Sequence, residues 1–403
     1  MDYKVVKECR VCGSSHLKKY LDLGEHELAN ALLSSSESKP NKYPVQVLFC
    51  EACSLSQLSI VVSPEILYKD YPYHSSVSNT FAEHCAEMAR SSHKLFTSIN
   101  KPLVIDIASN DGCLLEQFEK AGFYVMGVEP SENLAKKAEE KGISTINDFW
   151  GESAADRITS CDLFTATNVL AHVDDVQGFI KLCASKLRAY TSGFMIVEVP
   201  YMKNLIMNNQ FDTIYHEHLS YFLLKPLNYL FNSCGMKIFK VEEVPIHGGS
   251  LRIYASGYDR PDDGSVERML HEESNLGLHE YRIYQAYSDR VTHIKDRLRA
   301  VLNYCNEDGG KVAGFGASAK GISLMNYCGI TNTDISYIAD DTPDKQGKFT
   351  PGSNIPITSR DHFDTNHPDY MLILSWNFAN EMKEKTKGVG AKYIIPIPAV
   401  RVE

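Results

Sequence analysis

From residue 100 onward, short apolar runs alternate with stretches of helical periodicity. Val104-Ile105-Asp106-Ile107 reads as a buried strand, and Asp111 to Lys120 as the helix after it. Tyr124 to Val128 forms the next strand, followed by the amphipathic segment Glu132 to Lys141. Asp162 to Ala166 and Gly193 to Val197 supply two more apolar runs. Such alternation predicts a parallel sheet covered by helices. From Val266 to Cys305 the chain reads as one long, charged helical stretch without proline, able to link this sheet to the C-terminal segment. A second alternation begins at Lys311, with strands at Ile335 to Ala339, Tyr370 to Leu374 and Tyr393 to Pro396. Before residue 75 there is little helical periodicity and several turn formers. The fold class is therefore α/β. It comprises a small N-terminal module (1–75), a central Rossmann-like domain (76–260) and a C-terminal Rossmann-like domain (261–403).

Composition narrows the function classes. With 403 residues, two or three domains are expected, and 43% hydrophobic residues suffice for their cores. The net charge of -10 gives no broad footprint for nucleic acid. Any anionic ligand must be held by local cations and backbone N–H groups. The first residues carry charge where a secretory signal needs an apolar core, and no run reaches about 18 apolar residues. A cytoplasmic protein with neither nucleic-acid nor membrane partners is expected.

The 11 cysteines divide unequally. Cys9-x-x-Cys12 and Cys50-x-x-Cys53 are two knuckles that can converge on one tetrahedral ion. Four thiolates saturate zinc and leave no open position, so a structural site is expected. The remaining seven cysteines are scattered in mostly apolar stretches and read as small core residues.

In the central domain, Asp106-Ile-Ala-Ser-Asn-Asp-Gly112 turns from a strand into a helix, and Glu129 ends the next strand. A carboxylate there can accept hydrogen bonds from both hydroxyls of a ribose. The phosphate-binding G-x-G-x-x-G pattern is absent, and Asp106 and Asp111 would repel a pyrophosphate. S-adenosylmethionine, cationic and free of phosphate, suits the loop better. Asp106, Ser109, Asn110 and Gly112 are expected along its methionine part, Glu129 on the ribose, Asp148 near the adenine and Asn168 near the ammonium end.

Phe211 to Phe222 contains Tyr215, His216, Glu217 and His218 in succession. It is not a H-E-x-x-H zinc motif, because Ser220 stands where the second histidine belongs. If the segment is helical, Tyr215 and His218 share a face and form a phenol–imidazole acid–base pair. Glu217 could then orient a neighbouring ring. In the C-terminal domain, Gly314-Phe-Gly-Ala-Ser-Ala-Lys320 is a strand-to-helix turn suited to a pyrophosphate, with charge from Lys320. Its glycines also suit NAD, although Lys320 and the lack of a clear ribose acid weaken that reading.

Taken together, the motifs resemble those of the sugar-nucleotide C-methyltransferases of deoxysugar and branched-sugar biosynthesis. The likeness runs over nearly the full length. It is carried by the two knuckles, Tyr71-Pro-Tyr73-His-Ser-Ser76, Ile107 to Gly112, Asn168 to Asp175, Phe211 to Tyr221, His247 to Arg252, Gly314 to Gly321 and Asp340 to Gly347. Ala108 departs from it, since glycine is usual there. The resemblance implies a zinc module, a central S-adenosylmethionine domain and methylation of an NDP-4-keto-deoxyhexose, usually at C3. It also implies that His218 is the base, with Tyr215, Glu217, His172 and Tyr73 around the sugar. Ser318, Lys320, Lys345 and Arg252 are the implied nucleotide contacts. An O-methyltransferase, an NAD(P)-dependent oxidoreductase and a non-catalytic zinc module are the competing classes.

Overall fold

The computed structural model describes residues 2–67, 79–96, 99–189 and 191–403. Five strands open the chain: β1 (Tyr3–Val5), β2 (Leu17–His26), β3 (Tyr43–Cys50), β4 (Ser56–Leu58) and β5 (Ile60–Val62). Tyr43, Val45, Val47 and Phe49 all face inward along β3, which is the two-residue period of a pleated strand. β2, β3 and β4 pair antiparallel, while β1 and β5 form a separate ribbon.

The central domain contributes β6 (Leu103–Ile107), β7 (Tyr124–Val128), β8 (Thr145–Ile146), β9 (Leu163–Thr167) and β10 (Phe194–Pro200). The next strand, β11 (Ser220–Tyr221), leaves this sheet and pairs with β4 of the N-terminal module. β12 (Lys237–Val244) and β13 (Ser250–Ser256) return to the central sheet. Its order is β12-β13-β10-β9-β6-β7-β8, parallel except for β13, which runs antiparallel to both neighbours. The chain winds away from β6 in both directions. That reversal opens a crevice between β6 and β9 at the carboxyl ends of the strands, where α/β sheets bind ligands.

The second sheet repeats the plan. β14 (Val312–Phe315), β15 (Ile338–Ala339), β16 (Ile357–Thr358), β17 (Tyr370–Ile373), β18 (Lys392–Ile395) and β19 (Arg401–Val402) lie in the order β16-β15-β14-β17-β18-β19. Here too the winding reverses, between β14 and β17. The predicted strand from Ile335 is shorter than expected, because Thr331 to Ile335 is spent on a turn in which Asp334 and Ile335 N–H groups bond back to Thr331.

The stretch from Val266 to Cys305 is two helices, Ser265–Asn275 and Tyr281–Glu307. Gly277 breaks it: at φ +67° it enters the left-handed region, and the Leu278 N–H turns back onto the Glu273 carbonyl. The second helix does more than link domains. It buries Tyr284 against Tyr20 and Phe49, with ring centroids 5.0 and 4.5 Å apart, and so clamps the N-terminal module. No helix among the described residues is long and apolar enough to cross a membrane.

Candidate active site

The four knuckle cysteines do converge. Their Sγ atoms all lie within 4.8 Å of one another, with Cys9–Cys53 at 3.5 Å and Cys12–Cys50 at 3.6 Å. Zinc–thiolate bonds of about 2.3 Å in a tetrahedron place sulfurs about 3.8 Å apart, so the donor set and its spacing fit a structural zinc ion. Between the knuckle cysteines, Arg10 reaches outward. Its Nε donates to Asp174 at 3.1 Å and its Nη1 to the Leu219 carbonyl at 2.9 Å, tying the zinc knuckle to the residue after His218.

A cavity of about 1070 Å³ opens over the central crevice. At one end it is lined by Asp106, Ser109, Asn110, Glu129, Asn168 and Phe149. Glu129 is built into the corner: its two oxygens accept the Asn110 N–H at 2.9 Å and the Ser131 N–H at 2.8 Å. Asp106 accepts the Thr165 hydroxyl at 2.7 Å. Burial pushes the Asp106 carboxyl up to about 7, and burial likewise raises Glu129. Ser109 Oγ is buried without a hydrogen-bond partner among the described residues. Two buried carboxyls with no cation beside them among the described residues, next to an unsatisfied hydroxyl, fit a cationic ligand carrying hydroxyl groups. S-adenosylmethionine matches that description. Ala108, Asn110 and Asn168 hold φ at +54°, +52° and +57°, so the corner is made of backbone that non-glycine residues seldom adopt.

The middle of the cavity is faced by Tyr215, His218, His172, Thr213 and Asn30. The segment 215–218 is a turn rather than a helix, closed by the His218 N–H on the Tyr215 carbonyl at 3.0 Å. The turn still pairs the two side chains, with Tyr215 Oη 3.1 Å from His218 Nε2 and ring centroids 4.3 Å apart. His218 Nδ1 lies 2.7 Å from the Thr213 carbonyl, which can only accept, so Nδ1 carries the hydrogen and Nε2 keeps its lone pair. His172 meets His218 edge-on at 4.8 Å. Burial pushes its imidazole down to about 4, leaving it neutral near pH 7. Glu217 accepts from Asn30 Nδ2 at 2.7 Å, a bond to the N-terminal module. His216 is buried on the far side, against the Tyr43 carbonyl.

Ser318, Lys320 and Lys345 line the other end of the same cavity. Gly316, at φ +88°, lets the turn pass Ser375, whose Oγ would stand 2.7 Å from an added Cβ. Ser318 caps the helix Ala319–Cys328 by accepting the Gly321 N–H. Lys345 bonds the Ala317 carbonyl at 3.0 Å.

Comparison with known proteins supplies the family. Residues 9–68 match a model of a zinc binding domain, 80–241 a methyltransferase domain and 245–398 a C-methyltransferase C-terminal domain. The chain is 35% identical to the C-methyltransferase NovU of Streptomyces niveus, over 98% of this chain and 97% of that protein. This chain belongs to the C-methyltransferase family. Over 21% of its length it is also 34% identical to 41% of a ubiquinone biosynthesis O-methyltransferase of Actinobacillus pleuropneumoniae serotype 5b. Among solved structures, magnesium protoporphyrin IX methyltransferase of Synechocystis PCC 6803 aligns over 44% of this chain and 78% of that one. The TM-score is 0.34 and the identity 14%. The methyltransferase domain and the full-length relative make this chain an enzyme that uses S-adenosylmethionine, and the zinc binding domain with its four converging cysteines adds a zinc ion.

Three expected contacts are not brought to the cavity of this C-methyltransferase. Arg252 lies opposite Glu198 in the β13–β10 register and is 1% exposed. Its guanidinium is spent on Glu198, Glu87 and the ring of His84. Burial pushes Glu198 up, but the His84 hydrogen bond and Arg252 more than offset this and hold it below the usual carboxylate range. Asp148 turns into its own loop, accepting the Phe149 N–H and the Ser153 hydroxyl, and leaves Phe149 and Trp150 on the cavity wall. Gly112 serves the backbone, at φ +80° where a Cβ would sit 2.5 Å from Ile143 Cδ1. Tyr73 lies outside the described residues. Sequence reasoning missed Asn30, Thr213 and Asp212. A flanking polar residue in the Tyr-His-Glu-His segment was a signal for the last two, whereas Asn30 offered none.

Proposed function

We propose that this C-methyltransferase transfers a methyl group to C3 of an NDP-4-keto-deoxyhexose, with His218 as the base. The observation that carries the reading is the Tyr215–His218 pair, which lines one cavity together with the acids Asp106 and Glu129 and the cations Lys320 and Lys345. S-adenosylmethionine, when bound, supplies an electrophilic methyl group on a positively charged sulfur. Asp106 and Glu129 hold that cofactor at the acidic end, and Ser318, Lys320 and Lys345 hold the diphosphate of the substrate at the other.

A C–H beside a ketone is acidic because its conjugate base is an enolate. His218 Nε2 takes that proton and becomes an imidazolium, whose Nδ1–H stays on the Thr213 carbonyl. The Tyr215 hydroxyl rotates from Nε2 to the ketone oxygen and stabilises the charge that develops there. The electron pair freed on C3 would then be available to the methyl group that S-adenosylmethionine, held by Asp106 and Glu129, would supply, its sulfonium leaving as a neutral thioether. Neutral His172 packs the ring of His218 without competing for the proton. Glu217, held by Asn30, ties the turn to the N-terminal module. The closed zinc site takes no part in the chemistry.

The test is His218→Ala with a deuterated solvent and a 4-keto sugar nucleotide. Cofactor affinity stays within about twofold, while methyl transfer and washout of the C3 proton both fall by about a hundredfold or more. Washout at the wild-type rate removes His218 as the base.

A further inference from the structure

The turn that carries His218 is gripped by the C-terminal domain at three points outside the cavity lining. Trp376 Nε1 donates to Asp212 Oδ2 at 2.6 Å. Ser323 Oγ, on the helix Ala319–Cys328, donates to the Ile214 carbonyl at 2.8 Å. The rings of Phe211 and Tyr327 meet edge-on at 5.4 Å.

Asp212 is the unusual member. It is fully buried, and its second oxygen has no hydrogen-bond partner among the described residues. Burial pushes its carboxyl up, and the ammonium of Lys320 pulls it back down. A buried carboxyl with an open oxygen costs more than an apolar side chain of the same shape, so packing alone does not account for it. Its neighbour is Thr213, the residue whose carbonyl accepts from His218 Nδ1. A shift of Asp212 turns Thr213 with it, and so moves the 213–214 peptide whose carbonyl lies on the ring.

We propose that Asp212, clasped by Trp376, is a positioning residue that holds the Thr213 carbonyl on His218 and so sets the tautomer and aim of that imidazole. The inference rests on the reading of His218 as the base. It gives the C-terminal domain a second task, because the domain proposed to hold the nucleotide also holds the base from behind. The hydrogen bond from Nδ1 to a carbonyl favours the imidazolium, so loosening it lowers the pKa of the base. Among the described residues, Tyr215 on the same turn and His172 across from it also face the ring.

The variants are Trp376→Phe, which removes the donor and keeps an aromatic ring, and Asp212→Asn, which removes the charge and keeps an acceptor for Trp376. Ser323→Ala loosens the same turn from a different helix and stands in if Trp376→Phe misfolds. All are made in the full-length, zinc-loaded enzyme. Trp376→Phe lowers kcat about tenfold to a hundredfold, while KM for the keto sugar nucleotide stays within about twofold. The acid limb of its kcat/KM profile moves to lower pH. Ser323→Ala shifts both in the same direction by a smaller amount. Asp212→Asn retains most of kcat, because the amide still accepts from Trp376. A folded Trp376→Phe with wild-type kcat and an unmoved acid limb overturns the proposal, as does a rise in KM alone. If His218→Ala keeps proton washout, the underlying reading fails instead. If His218→Ala abolishes washout and Trp376→Phe leaves it untouched, only the role of Asp212 fails.

Discussion

In the central domain the turn after β6 faces Glu129 at the end of β7, and in the C-terminal domain the turn after β14 faces Asp340 at the end of β15. The backbone wiring is the same. Glu129 accepts one N–H from the turn, at Asn110, and one from two residues further along its own chain, at Ser131. Asp340 does likewise with Ala317 at 2.7 Å and Thr342 at 2.8 Å. What differs is the charge around each carboxylate. Asp106 adds a second acid to the first corner, whereas Lys345 lies 3.4 Å from Asp340 and Lys320 lines the same cavity. One fold element, used twice, thereby carries opposite charge, which is what the proposed cationic cofactor and anionic substrate would each require. The lesson is that ligand class resides in two or three side chains and not in the glycine turn that precedes them.

The strongest way to break this comparison is a paired substitution. Glu129→Gln weakens S-adenosylmethionine binding roughly tenfold to a hundredfold, the cost of about 1.5–3 kcal/mol for a hydrogen bond to a charged group, and leaves the sugar nucleotide alone. Lys320→Met weakens the sugar nucleotide about tenfold and leaves the cofactor alone. Calorimetric titration of each variant with each ligand checks the pattern, and a cross effect of equal size would erase the distinction between the corners.

A smaller effect comes from pH. Burial raises Asp106 to about 7 in the cofactor-free protein. The ionised form attracts a cation, so cofactor binding releases a proton and affinity rises as pH climbs through about 7. The sign for stability is opposite. A raised carboxyl stabilises the fold below its unfolded value, near 3.8, and that contribution is lost as pH rises through about 7. Cofactor affinity is expected to change by about threefold to tenfold across the range, and Asp106→Asn flattens the curve. Sugar-nucleotide affinity does not rise with it.

The smallest effect sharpens the geometry. Ala108 sits at φ +54°, so Ala108→Gly relieves about 1 kcal/mol of left-handed strain and raises the melting temperature of the cofactor-free enzyme. No gain in stability would mean that the corner is not strained at this residue.

The central corner was largely legible in the sequence, because a strand, a small-residue turn and an acid at the next strand end are local signals, whereas the C-terminal one was read without a clear acid and the structure puts Asp340 there. The zinc knuckles were legible for the same reason. The middle of the site was less so. Tyr215 and His218 were paired by assuming a helix, and a turn closed by one hydrogen bond brings them together instead. Arg252 looked available because its register opposite Glu198 is a long-range fact of the antiparallel β13. Asn30, Arg10 and Trp376 reach the 212–219 segment from other domains, over sequence separations that no local pattern encodes. The strand β11 shows the same thing in the backbone, since it leaves the central domain to complete the sheet of the zinc module.

The central claim is that the methyl group goes to carbon by way of an enolate. The direct measurement is to supply S-adenosylmethionine labelled with carbon-13 at its methyl group, together with an NDP-4-keto-deoxyhexose, and to locate the label by NMR. The account predicts a labelled methyl coupled to C3 of the sugar. A label on oxygen, or no transfer to any keto sugar nucleotide, would contradict it.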